Sequence, residues 1–119
     1  MTEEEARGYL REEGYPLHVW ELGKSGLVAL YRQFVESVER GYGQSLFDYW
    51  NDLDIRTILA KLDAEEEVQE LDGRLRSMLV RTDIRIWWSD AADPFWVYGY
   101  PRNAGAELLE DLRAEWYVD

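Results

Sequence analysis

One histidine, no cysteine and 25 carboxylates set the chemistry open to this chain of 119 residues. Without thiolates there is no cysteine nucleophile, no disulfide framework and no zinc–thiolate site. A metal would have to rest on carboxylates and His18. A hard cation needs oxygens converging from a tight loop, and Asp52-Leu53-Asp54-Ile55-Arg56 lacks the glycine that turns a calcium loop. The sequence therefore points to no metal and no cofactor. His18, beside Val19 and Trp20, reads as a packed or surface residue. As a general base it would need an orienting partner, and no spacing identifies one. Gly23-Lys24-Ser25 matches the end of a phosphate-binding loop, but His18 stands where that pattern requires its first glycine. Turn glycines at 23 and 26 with Ser25 as a helix cap account for the same letters. Carboxylate pairs suit glycoside hydrolysis, yet among so many acids some pair always falls at a tempting spacing. No Gly-x-Ser-x-Gly nucleophile elbow occurs. No catalytic residue is assigned on this reading, and binding is favoured over catalysis.

What remains is charge and aromatic surface. Thirteen basic side chains leave a net charge of −12, and 17 residues are aromatic. Such acidity disfavours direct contact with nucleic acid, whose phosphates need a basic face. The excess is concentrated: Glu36 to Asp72 holds eleven acids against Arg40, Arg56 and Lys61, whereas Gly73 to Trp88 is net basic. Part of this is ordinary helix chemistry. Glu65-Glu66-Glu67 suits a first helical turn, and Glu70 with Arg74 and Asp72 with Arg76 stand four apart, the spacing for pairing along one helix. Such local pairs do not absorb an excess of eight.

Glycine and proline divide the chain into the elements that would position these groups. Thr2 to Glu13 predicts a helix, with Thr2 and Glu5 as a capping box and Gly14 as its stop. Leu17–Leu22 reads as a short strand on weak alternation. After Ser25 as cap, Leu27, Leu30, Tyr31, Phe34 and Val38 make one helical stripe that ends at Gly41. Ser45 and Asp48 cap the next helix, with Leu46, Phe47, Trp50 and Leu53 inward and a break open at Asn51–Asp54. Asp63 and Glu66 start another, with Val68, Leu71, Leu75, Met78 and Leu79 facing the core across Gly73. From residue 84 the period falls to two. Ile84, Ile86 and Trp88, then Phe95 and Val97, make one face; Arg85, Trp87, Trp96, Tyr98 and Tyr100 make the other. This predicts a β-hairpin over 84–100, either covered on both sides or presenting its Trp, Tyr and Arg face to a partner. Asn103 caps a last helix with Leu108, Leu109, Leu112 and Trp116 inward.

The expected fold is thus one α+β domain over 1–119, mainly helical, with four to five helices and a C-terminal hairpin before the last helix, with which the Leu17–Leu22 strand could pair. No apolar run is long enough to span a membrane. The opening Met1-Thr2-Glu3-Glu4-Glu5 is unlike a signal peptide, so a cytoplasmic protein is expected. An acidic helical surface with aromatic anchors suits a basic protein partner. In bacteria, inhibitors of the immunity type use this arrangement against basic nuclease toxins. The expected contact residues are Asp48, Asp52, Asp54, Glu65, Glu66 and Glu67, with Tyr42, Tyr49, Trp87 and Tyr98 beside them. A DNA mimic, a small hydrolase around His18 and a self-associating subunit, such as a homodimer, are the alternatives from other classes.

Overall fold

The computed structural model describes residues 1–86 and 94–118. Among these, six α-helices surround a single core and one small antiparallel sheet is present: α1 (Glu3–Glu12), α2 (Leu17–Trp20), α3 (Gly23–Arg40), α4 (Leu46–Lys61), α5 (Glu65–Met78), β1 (Leu79–Arg81), β2 (Gly99–Pro101) and α6 (Ala106–Ala114). The class is mainly helical α+β, as the sequence predicts.

The capping boxes form where their letters stand. The Thr2 Oγ1 accepts from the Glu5 N–H and the Glu5 carboxylate accepts from the Thr2 N–H, both at 3.1 Å. Ser45 and Asp48 repeat this at the start of α4. α3 is the central helix. It packs against α1, α4 and α5 and buries Leu27, Tyr31, Phe34, Val35 and Val38. Tyr31, Phe34, Tyr42 and Tyr49 make an aromatic cluster with ring centroids 5.4–6.3 Å apart, and each phenol is satisfied. Tyr31 donates to Asp72 and Tyr42 to Asp52, both at 2.6 Å, and Tyr49 donates to the Gly99 carbonyl at 3.3 Å.

Several local expectations are corrected. Leu17–Leu22 is not a strand: Pro16 stands at the N-cap of α2, and its carbonyl accepts from Val19 and Trp20. Alternation there was too weak to call for a sheet neighbour, whereas a helical turn lets Val19 and Trp20 both lie against the core. Ser25 is not the cap of α3, which begins two residues earlier. α4 runs unbroken through Asn51–Asp54: Leu53 is buried, Asp52 accepts from Tyr42, and Asn51 and Asp54 face outward. Asp63 does not begin α5. It adopts φ +54° and ends α4, its N–H donating to Ala60 and that of Ala64 to Leu59. Gly105, not Asn103, is the N-cap of α6; its N–H donates to the Tyr42 carbonyl at 2.7 Å. Trp116 lies outside the core, 86% exposed.

The sheet forms at a different place from that predicted. β1 and β2 pair Leu79 with Pro101, Val80 with Tyr100 and Arg81 with Gly99, so the first strand lies before the alternating stretch and the second at its end. Antiparallel bonding continues from Thr82 N–H to Tyr98 and from Ile86 N–H to Val97, but Phe95–Val97 is a 3-10 turn. That turn lets Trp96 and Val97 both point inward, which a strand of period two forbids. Ile84 is 47% exposed. Trp87, Trp88 and the expected loop as far as residue 93 lie outside the described residues. No described helix is long and apolar enough to cross a membrane.

Candidate functional site

The acidic side chains singled out in the sequence divide by what the structure does with them. Asp48 is spent on the N-terminus of α4, its Oδ2 accepting from the Ser45 hydroxyl at 2.8 Å. Asp52 accepts from Tyr42 and is half-buried. Burial lifts its carboxyl above the usual range, the Tyr42 hydrogen bond opposes that rise, and the nearby Asp48 charge adds to it. Glu65 and Glu67 are both exposed but ion-paired, Glu65 to Arg56 at 2.6 Å and Glu67 to Lys24 at 2.8 Å. Asp54 and Glu66 face solvent. Four of the six acids are therefore bonded within the molecule. Asp48 and Asp52 stand one turn apart on α4 with Asp54 further round the helix, and of the α5 acids Glu65 belongs to the Arg56 cluster.

Of the aromatic candidates, Tyr42 and Tyr49 are core residues at 1% and 0% exposure, so their rings are closed to a partner. Tyr98 is half-buried with the Arg85 guanidinium 5.8 Å from its ring centre. Trp87 lies outside the described residues. Trp96, on the same expected face, is buried.

Three residues outside the expected contact set stand out, one buried and two exposed. Arg56 projects from α4 into the interior and is 1% exposed. Its Nε and Nη2 donate to the two oxygens of Asp72, both at 2.8 Å, and Nη2 also donates to Glu65 at 2.6 Å. The Trp96 ring lies over the guanidinium with its centre 4.3 Å from Cζ. Burial works against the charge, but the bonds to Asp72 and Glu65 more than offset it and hold the guanidinium firmly protonated. The local pairs expected along α5 give way to bonds between helices: Asp72 binds Arg56 rather than Arg76, and Arg74 donates from Nε to Glu39 of α3 at 3.0 Å rather than to Glu70. Arg76 lies against Phe95, 4.4 Å from its ring centre.

The other two are Phe47 and Trp116, exposed by 68% and 86%. Leu46, Phe47, Trp50 and Leu53 read as an inward stripe, yet Phe47 faces outward. The buried set is Leu46, Tyr49 and Leu53, equally well spaced, and Tyr49 was the available signal.

Two surface depressions lie on these helices. One, of about 350 Å³, runs along α5 and is lined by Glu65, Glu66, Gln69, Asp72, Gly73 and Arg76. Gly73 lies open on it: a Cβ built there meets no described atom within 4 Å. The second, of about 200 Å³, lies between the start of α4 and the end of α6 and is lined by Leu46, Phe47, Trp50, Asp111, Ala114 and Glu115.

The residues considered for catalysis lie elsewhere. Glu3 reaches from α1 to the start of α3, where its Oε1 accepts from the Ser25 N–H at 2.9 Å, and Lys24 donates to Glu67 and to the Met1 carbonyl. The donors that would hold a phosphate at Gly23-Lys24-Ser25 thus already hold internal acceptors. His18 is exposed on α2. Among the described residues no three His, Asp or Glu side chains converge as metal ligands would. Comparison of the chain with known protein families, with curated proteins and with solved structures finds no match.

Proposed function

We propose that this chain is a non-catalytic acidic binding module, an inhibitor or immunity-type protein that occludes a basic partner such as a nuclease toxin. The observation that carries the reading is the distribution of charge on α5. Glu65, Glu67 and Asp72 are taken up by Arg56 and Lys24, whereas Glu66 and Glu70 hold no hydrogen bond or ion pair among the described residues, Glu70 acting only through its charge on nearby Arg74. They stand one turn apart on the exposed side of the helix, with Glu66 on the rim of the groove that Gly73 leaves open. A basic side chain can approach the helix backbone at Gly73 more closely than at any position with a Cβ. The remaining acidity of the surface would steer such a partner in.

The contact surface on this reading is α5, with Glu66 and Glu70 in front, and no longer the α4 acids, two of which serve the fold. The test uses immobilised protein and source lysate at low and high salt, with bound proteins identified. A basic protein is retained at low salt and released at high salt. Glu66→Lys with Glu70→Lys weakens its binding by about tenfold or more, and the identity of the bound protein separates a toxin from a DNA-binding target. Retention that ignores both salt and the charge reversal sinks the reading.

A further inference from the structure

Three helices end in the same hydrogen-bonded closure, and one of them does so with the wrong residue. After α1, Gly14 at φ +87° donates to Arg11 while Tyr15 donates to Leu10. After α4, Asp63 and Ala64 do the same to Ala60 and Leu59. After α6, Trp116 at φ +64° donates to Arg113 at 3.1 Å while Tyr117 donates to Leu112 at 2.9 Å. This closure calls for a left-handed residue, which is usually glycine, and Asp or Asn tolerate it. A bulky side chain is strained there. The strain is not repaid by packing, since the indole is 86% exposed. The fold would be served better by glycine, as α1 is by Gly14.

We infer that Trp116 is the anchor of a second contact surface for the basic protein partner, which takes an apolar side chain flanked by Lys or Arg. This rests on the binding reading above and adds the place where the partner is gripped. Trp116 follows directly on Ala114 and Glu115, which line the depression shared with Phe47 and Trp50. Exposed Phe47 and partly exposed Trp50 line this hollow, and exposed Trp116 stands one residue past its Glu115 edge, so large aromatic side chains of the kind found at interface hot spots stand at the hollow and next to it in the chain. Its rim is acidic: Asp111 and Glu115 line it, and from Glu107 to Val118 four acids stand against Arg113. Charge selects the occupant. A second copy of this chain would bring another −12 to the face, whereas a basic segment matches the rim.

The probes are two synthetic peptides of equal positive charge, one an amphipathic helix of Leu and Lys, the other with Ser in place of Leu. They are titrated into isotope-labelled protein at low salt. With the Leu–Lys peptide the Trp116 indole resonance shifts. Trp116→Gly weakens that binding by about tenfold, and Phe47→Ala weakens it in the same direction. The Trp116→Gly protein melts at the same or a higher temperature, because the left-handed position is relieved. Equal affinity of Trp116→Gly for the Leu–Lys peptide overturns the inference, and so does a lower melting temperature, which would make the indole structural. A dimer that Trp116→Gly turns into a monomer also overturns it. If both peptides bind with salt sensitivity but without regard to Trp116, the anchor fails and acidic binding stands. If neither binds, both fail.

Discussion

Arg56 stands in the most acidic stretch of the chain, yet its charge never reaches the surface. A guanidinium with bonds to Asp72 and Glu65 and an indole stacked on it is a satisfied buried cation, and the cost of its burial is met only while every partner is present. Arg56→Met removes the cation and leaves Asp72 mostly buried beside Tyr31, and urea unfolding is expected to show a loss of about 3–5 kcal/mol. Combining Arg56→Met with Asp72→Leu recovers part of it, since no buried carboxylate is then stranded. A loss below about 1 kcal/mol for the single variant would mean that water reaches the cluster and that it does not hold α4 to α5. None of this was legible in the sequence, where Arg56 counts only as one of three bases among eleven acids. Period and spacing place Arg56 on α4, but the carboxylates that neutralise it come from another helix and the indole that covers it from a turn 40 positions on, and no local pattern reports them.

At the level of elements, what was legible is what depends on neighbours in sequence. The capping boxes of Thr2 with Glu5 and Ser45 with Asp48, the stripe of α3 and the stop at Gly14 are local hydrogen-bond and periodicity problems. The 84–100 hairpin was misplaced because alternation records only that side chains of two kinds interleave. Where Trp96 is drawn to Arg56 and Phe95 to Arg76, the backbone turns to serve both, and the strands form where Leu79–Arg81 and Gly99–Pro101 have only each other to bond. Glycines separate the two kinds of constraint. Gly73→Ala adds about 0.5–1 kcal/mol of stability by relieving a helix-interior glycine with open space above it. Gly105→Ala destabilises, because its Cβ would lie 3.2 Å from the Tyr42 carbonyl oxygen and from Gly43 Cα. Melting temperatures of the two variants check both signs, and a destabilised Gly73→Ala would show that the α5 groove is filled within the molecule.

Over the whole molecule the charge opposes folding in a pH-dependent way. Glu5, Glu39 and Glu67 sit below the usual carboxyl range, held by hydrogen bonds from Thr2, Arg74 and Lys24. Their stabilisation is complete above the ordinary carboxyl range and is lost as pH falls through their lowered values. Asp52 is shifted the other way by burial. The folded state then holds its proton more tightly than the unfolded chain does, so its contribution is full below the ordinary range and fades as pH rises through the raised value. With a net charge of −12 repelling itself at neutral pH, stability rises as pH falls from neutral toward the carboxyl range and declines only below it. Added salt raises the melting temperature at neutral pH by screening. Chemical denaturation across pH, repeated on Asp52→Asn, checks this. A steady decline from neutral downward, with no response to salt, would mean that the repulsion is negligible.

The reach of the bonds around Arg56 also sets an order of assembly. Its links to Glu65 and Asp72 close loops of 9 and 16 residues, whereas those that fasten the last third of the chain, from Tyr49 to Gly99 and from Leu46 to Asp111, span 50 and 65. Short loops close at smaller entropic cost. The α4–α5 pair with its charged hub is therefore expected to close before the Trp96 turn and α6 dock onto it.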